Sequence, residues 1–374
     1  MDYIHRHQEQ PIIEGICDGK IAIIYGPRQI GKTTLAKSVA KKLDPNYKYL
    51  NADEPDVALA LSGRSSTELR LYIGPVKTLV IDEAQRVSNI GITLKLLADT
   101  MPEMNVIATG SSSFELSDSV NEPLTGRAYY YTIWPLALSE VADDPVEQRR
   151  HLEDQMIYGQ YPAIALGQVA DKKRYLANLV QNYLYRDLLS VGVIRSEAVL
   201  LKLLQLLAYQ IGNQVSINEL ASELRQPQAT VANLIDLLEK AFVIHRLHPY
   251  AKNVRNTIRK QSKVYFTDLG VRNALIGRLA PLDSRDDRGS LWENYVVNEM
   301  RKINSTRSFP YNDYFIRDYS GSEVDYIQER EQVLTGFEVK WSPKKIARAP
   351  KVFTEASEMT EFHVVNSDNF VDFI

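Results

Sequence analysis

Gly26-Pro27-Arg28-Gln29-Ile30-Gly31-Lys32-Thr33 decides how this chain is read. The octapeptide satisfies the pattern G-x-x-x-x-G-K-[ST], and its flanks supply the context that the pattern requires. Ile21-Ala22-Ile23-Ile24-Tyr25 before it is an unbroken apolar run of strand length, and Thr34-Leu35-Ala36-Lys37-Ser38-Val39-Ala40 after it has helical spacing. A loop so placed turns its backbone N–H groups and a helix N-terminus toward a polyphosphate, with Lys32 reaching the β and γ oxygens and Thr33 able to hold Mg²⁺. Gly26, Pro27, Arg28, Gln29, Ile30, Gly31, Lys32, Thr33 and Thr34 are the expected nucleotide-binding residues, with ATP and Mg²⁺ as the expected cofactors.

A second half of such a site follows. Thr78-Leu79-Val80-Ile81 is apolar and ends in Asp82-Glu83, which sets two carboxylates at the C-terminal end of a buried strand, where α/β sheets place their ligands. Asp82 there can hold Mg²⁺ through water, and Glu83 can polarise an attacking water. Tyr47-Lys48-Tyr49-Leu50-Asn51, Asn105-Val106-Ile107-Ala108-Thr109 and Tyr129-Tyr130-Tyr131-Thr132-Ile133 read as further strands of the sheet. Thr109 and Ser111 are placed to sense a γ-phosphate, although Ser111-Ser112-Ser113 also reads as a helix N-cap cluster.

These motifs, together with Leu79-Val80-Ile81-Asp82-Glu83-Ala84-Gln85, Ile107-Ala108-Thr109-Gly110-Ser111-Ser112 and Leu124-Thr125-Gly126-Arg127 before Trp134-Pro135-Leu136, resemble the AAA+ ATPases that carry a C-terminal domain of unknown function, the DUF4143 group. The resemblance spans nearly the whole chain and is most specific in its first third. It implies that Arg127 acts with Lys32 and Glu83 in catalysis, as an arginine finger reaching a neighbouring subunit's γ-phosphate in a homo-oligomer. A surface or locally ion-paired arginine is the alternative for Arg127.

The chain has 374 residues, enough for several cores, a single cysteine and a net charge of −3. One cysteine excludes an internal disulfide framework, and no apolar segment approaches a membrane span. Met1-Asp2-Tyr3-Ile4-His5-Arg6-His7 lacks the layout of a signal peptide, so a cytoplasmic location is expected. With so little net charge, any nucleic-acid surface must come from local clustering of bases.

Such clustering occurs past the middle of the chain. Helical patterns around 146–152 and from about 172 to 190 suggest a helical lid. Helical runs at 197–211, 217–224 and 229–241, broken at Gln226-Pro227-Gln228, then lead into the strand Phe242-Val243-Ile244-His245-Arg246-Leu247. This order resembles a winged helix-turn-helix. Lys252, Arg255, Arg259, Lys260 and Lys263 lie in an acid-free stretch that reads as the wing, and duplex or branched DNA is the expected partner. Winged helices also bind proteins, and the second helix offers Thr230, Asn233, Asp236, Glu239 and Lys240, which is no basic face.

Near the end, Asp325 and Glu338 fall on adjacent strands of an expected hairpin, and Lys340 shares the face of Glu338. With Glu293 on a preceding amphipathic helix, the ordered set resembles the PD-(D/E)xK nuclease core. That resemblance implies Mg²⁺ or Mn²⁺ held by Asp325 and Glu338, with Lys340 orienting the attacking water. A plain Glu–Lys pair on an exposed strand is the alternative.

The expected fold is therefore α/β: a parallel AAA+ sheet (1–140) with a helical lid (141–195), then a winged helix (196–268) and a small α/β restriction-endonuclease-like domain (269–374). Tyr265-Phe266-Thr267-Asp268-Leu269-Gly270 is the expected hinge between the last two. The function read from it is an ATP-driven, DNA-associated oligomeric motor or switch, with metal-dependent cleavage by the last domain. The rival is a nucleotide-gated protein scaffold whose nuclease-like domain is inactive.

Overall fold

Five apolar segments build the first sheet of the computed structural model: β1 (Ile21–Tyr25), β2 (Lys48–Asn51), β3 (Thr78–Asp82), β4 (Asn105–Gly110) and β5 (Ala128–Thr132). The structure describes residues 4–111, 124–181, 196–251, 261–307, 311–318, 321–345 and 347–374. The strand order is β2-β3-β4-β1-β5 and every pairing is parallel. Strands buried on both faces need no polar alternation, which is why β1 and β3 read as continuous apolar runs. One face packs Ala22, Ile24, Val80 and Ile107 against Ile12 and Ile16 of the Glu9–Cys17 helix and Leu35 and Val39 of the Lys32–Leu43 helix. The other packs Ile21, Ile23, Leu79, Ile81 and Val106 against Leu61, Leu69, Leu94 and Leu97. These elements form one compact unit, Met1–Pro135 with Lys240–Phe242.

The remainder, Leu136–Glu239 with Val243–Ile374, is a second unit built on a six-stranded sheet. Its strands are β6 (Ile244–Pro249), β7 (Lys263–Phe266), β8 (Asn312–Arg317), β9 (Glu323–Arg330), β10 (Val333–Val339) and β11 (Thr360–Val365), ordered β11-β10-β9-β8-β6-β7. The expected hairpin is present, with Phe337 opposite Tyr326 in the antiparallel β9–β10 pair. The helices Glu197–Tyr209, Ile217–Leu224 and Gln228–Lys240 precede the β6–β7 hairpin, and Gln214 adds a bridge to Lys263.

Three expectations meet a different arrangement. The helices of the expected lid, Pro145–Tyr158 and Lys172–Leu179 among them, belong to this second unit and pack on the Leu269–Leu275 helix. The boundary drawn at 268 falls inside a continuous structure, because β6 pairs with both β7 and β8. The stretch 265–270 is not a hinge. Asp268 is buried, caps the Leu269–Leu275 helix through the Val271 N–H at 3.0 Å and accepts from the Gln160 N–H at 2.7 Å, and a Cβ on Gly270 would stand 2.0 Å from the Tyr158 carbonyl oxygen. A segment so enclosed cannot absorb the dihedral changes of a hinge.

The free edge of β7 is closed by side chains. Asn294, on the Arg288–Asn304 helix, accepts from the Phe266 N–H and donates to the Phe266 carbonyl, both at 2.9 Å, as a neighbouring strand would. Among the described residues, no helix is long and apolar enough to cross a membrane.

Candidate nucleotide site and C-terminal carboxylate cluster

The phosphate loop leaves β1 at Gly26. Its φ of 148° and the 2.2 Å that would separate an added Cβ from the Ile133 carbonyl oxygen require glycine there. Gly31, at φ 93°, is the N-cap of the Lys32–Leu43 helix, so the loop delivers that helix's first N–H groups into its own concavity. Lys32 is buried, and its ammonium donates to the carbonyls of Gly26 at 2.9 Å and Pro27 at 2.7 Å. Arg6, which the motif reading missed, ties the loop to the sheet by donating to the Ile30 carbonyl at 3.0 Å and the Trp134 carbonyl at 2.7 Å.

Asp82 gathers three hydroxyls. Thr33 Oγ1 lies 3.0 Å from each carboxylate oxygen, Tyr49 donates to Oδ2 at 2.6 Å and Thr109 donates to Oδ1. Thr109 also accepts from the Glu83 N–H at 3.2 Å, so the expected sensor residue binds the Asp82 carboxylate and the Glu83 backbone. Glu83 sits at φ 51°, a strained conformation for a residue with a side chain, and its carboxylate accepts from Gln85. Burial, with the Asp82 contact, raises the Tyr49 phenol well above its ordinary pKa and keeps it a donor. Ser111 is buried just beyond β4, while Ser112 and Ser113 lie outside the described residues.

Tyr49 and Gln85 were not singled out from the sequence. Tyr49 was within reach of a period-two argument: it stands opposite Val80, and Asn51, two residues on, stands opposite Asp82. The donor set suits a triphosphate with Mg²⁺. A buried ammonium lines the loop, and the Thr33 hydroxyl and Asp82 carboxylate are hard oxygen ligands held together.

Arg127 stands at the other end of the sheet. Its carbonyl accepts from the Ile21 N–H at the start of β1, whereas the phosphate loop follows the end of that strand. The guanidinium forms a two-pronged pair with Asp99 of the same chain, at 2.6 and 3.1 Å.

Residues 18–142 match the family model of the AAA domain. The parallel sheet and the phosphate loop at the end of β1 agree with that match, so the first unit has the fold of an AAA-type P-loop domain. Residues 149–282 match a domain of unknown function, DUF8612, and 288–372 match another, DUF4143. An uncharacterized protein of Mycobacterium tuberculosis is 29% identical over 332 residues, covering 86% of this chain and 70% of its own. One of Methanocaldococcus jannaschii is 26% identical over 321 residues, covering 74% and 67%. Among solved structures, the Thermotoga maritima RuvB Holliday junction branch migration motor aligns with 64% of this chain and 87% of its own at 18% identity and a TM-score of 0.31. AMPPCP-bound DnaA of Aquifex aeolicus aligns with 64% and 90% at 16% identity and a TM-score of 0.33.

The C-terminal residues converge as well, but not as a metal site. Asp325 Oδ2 accepts from the Val339 N–H at 2.9 Å and lies 3.3 Å from the Lys340 ammonium, which pairs with Glu338 at 2.6 Å. Asp325 Oδ1 faces the Lys263 ammonium at 3.6 Å. Lys263 also pairs with Glu293 at 2.9 Å and with Glu323, and Tyr265 donates to Glu293 at 2.6 Å. With an ammonium against each Asp325 oxygen, the set does not fit the Mg²⁺ or Mn²⁺ expected on Asp325 and Glu338. Among the described residues, no three Asp, Glu, His or Cys side chains are arranged to hold a metal ion.

Lys263 corrects the expected wing as well. It is 2% exposed and turned into this cluster, so it is no phosphate contact. As the first residue of β7 it shares a strand face with Tyr265, and that face looks onto Glu293. Lys252, Arg255, Arg259 and Lys260 lie outside the described residues.

Burial pushes the Glu293 carboxyl up to about 7, with Asp325 adding to the shift and Lys263 and Tyr265 opposing it. The sign for stability follows from proton counts. Between about pH 4.5 and 7 the folded chain keeps this proton and the unfolded chain has lost it, so the contribution falls as pH rises through that window, by about 3 kcal/mol at most. In urea melts at pH 5 and pH 8, Glu293→Gln should therefore gain stability relative to the wild type as pH increases. A difference that does not change with pH would mean that Glu293 does not titrate there.

Proposed function

We infer that the first unit binds and hydrolyses ATP, and that the chain acts as an oligomeric, DNA-associated switch or motor. The observation that carries the hydrolysis reading is Asp82, drawn to Thr33 of the phosphate loop on one side and to Thr109 on the other, with the Glu83 backbone N–H donating to the same Thr109 hydroxyl. Bound Mg²⁺·ATP supplies the phosphoanhydride and a cation that offsets its charge. The chain's residues do the rest. Lys32 would neutralise phosphate charge, Thr33 and Asp82 would hold the cation, Glu83 would take the proton of the attacking water, and Thr109 ties the Asp82 carboxylate to the Glu83 backbone. Arg127 could serve a neighbouring subunit once its Asp99 pair opens.

DNA association rests on the acid-free stretch Lys252–Lys260 after a helix-turn-helix, which fits a winged helix. Backbone contact is the mode expected, because Asp236 and Glu239 of the Gln228–Lys240 helix pair with Arg246, at 2.7 and 2.5 Å, and offer bases no donor. The same acidic helix favours a second reading, a nucleotide-gated protein scaffold.

ATP turnover measured with and without duplex DNA separates the two readings. For the DNA reading, turnover rises with DNA. Replacing Lys252, Arg255, Arg259 and Lys260 by Ala then weakens duplex binding equally for unrelated sequences, and the salt slope flattens by about one per lost phosphate contact. Unchanged low-salt affinity in that variant leaves the scaffold.

A further inference from the structure

The carboxylates of the second unit already have a cation. Lys263 Nζ lies against Glu293, Glu323 and Asp325, and 5.4 Å from the centre of the Phe315 ring. The lysine is pinned from the backbone outward: it opens β7, stands opposite Leu247 of β6 and bridges Gln214 on its other side. Its ammonium therefore cannot leave the cluster by a loop movement.

Counting charge shows that the cluster is nearly neutralised, three cations against four carboxylates. Four carboxylates, Glu293, Glu323, Asp325 and Glu338, face Lys263 and Lys340, and Arg317 stands 3.7 Å from Glu323. A divalent ion added to that set would sit within a few ångströms of two ammoniums, a like-charge arrangement that costs most where water is excluded. One acceptor is left over. Glu338 Oε2 is buried and has no hydrogen-bond partner.

We propose that the Lys263 ammonium is the resident cation of this cluster, occupying the role that a divalent metal plays in a nuclease, so that the second unit does not cut nucleic acid and carries a latent metal site exposed by loss of Lys263. The proposal rests on reading Glu293, Asp325, Glu338 and Lys340 as nuclease-like. Lys263 comes from outside that set, at the head of β7. Removing its charge leaves Asp325 Oδ1, Glu293 and Glu323 without the ammonium they share, beside the unpartnered Glu338 oxygen; small rearrangements of these side chains would then offer the hard oxygen donors that Mn²⁺ and Mg²⁺ select.

The test is Mn²⁺ binding to the nucleotide-free full chain, followed by electron paramagnetic resonance, for the wild type, Asp325→Asn, Lys263→Gln and the Lys263→Gln/Asp325→Asn double variant. The expected result is no Asp325-dependent Mn²⁺ in the wild type and one Mn²⁺ in Lys263→Gln, bound at least a hundredfold more tightly and lost again in the double variant. A wild-type Mn²⁺ that disappears in Asp325→Asn overturns the proposal while leaving the nuclease-like reading intact. A folded Lys263→Gln, verified by its circular dichroism melt, that binds no Mn²⁺ overturns the latent site and the nuclease-like reading with it. Should Lys263→Gln not fold, the wild type against Asp325→Asn decides alone: equal binding upholds the resident lysine, and Asp325-dependent binding rejects it.

Discussion

Glu83→Gln is expected to bind ATP as the wild type does and to hydrolyse it about 10² to 10⁴ times more slowly, the range for loss of a positioned general base. The amide keeps the shape of the side chain and leaves the backbone bond to Thr109 in place, so binding should not suffer. Lys32→Ala should instead lose nucleotide binding, because its ammonium is the charge that the loop buries for the phosphates. Equilibrium binding of a fluorescent ATP analogue and a phosphate-release assay separate the two effects. Full turnover in Glu83→Gln would remove the assignment of Glu83, and tight binding in Lys32→Ala would remove that of the loop.

The second large effect is structural. Glu299 is fully buried in the second unit, and its carboxylate accepts from Lys302 at 2.6 Å, Gln160 at 2.7 Å and the Leu138 N–H at 2.7 Å. Lys302 donates in turn to Gln160 Oε1 at 2.6 Å and to the Leu136 carbonyl at 3.0 Å. A buried ion pair adds little net stability, yet removing one partner strands the other's charge. Lys302→Met should therefore cost about 3–5 kcal/mol in urea denaturation. Adding Glu299→Gln should recover most of that loss, since a neutral amide can still accept from Leu138 without stranding a charge. If the double variant is no more stable than Lys302→Met, the loss comes from packing and not from the unpaired carboxylate.

Much of the first unit was legible because its constraints are local. A phosphate loop needs glycine at Gly26 and Gly31 for reasons of space and backbone angle, and buried parallel strands appear as unbroken apolar runs. The order in which those strands pair was not legible, since each pairing joins residues far apart in the chain. Tyr49 escaped notice for the same reason: its role depends on β2 lying beside β3. Lys263 was misread because it ends a run of bases, and charge counting placed it with Lys252 to Lys260. The alternation Lys263, Tyr265 at the head of an apolar strand held the contrary signal, but only the Arg288–Asn304 helix opposite shows which face is inside. The hairpin bearing Asp325 and Glu338 was readable from alternation alone. What fills the space between its carboxylates was not.

The six-stranded sheet carries a consequence for modularity. β6 gives one edge to β7 and the other, at His248 and Pro249, to β8, and the Arg288–Asn304 helix seals the far side of β7 with Asn294 and Asn298. A gene fusion that kept the helices between 197 and 240 and the β6–β7 pair but ended near 270 would bare one strand edge and unseal another, leaving rows of N–H and C=O groups open to other chains. A graft of residues 288–374 alone would likewise lack β6, β7 and the lysine that neutralises its acids. The helices between 197 and 240, the β6–β7 pair and the C-terminal strands can be moved into another protein only as a single cassette.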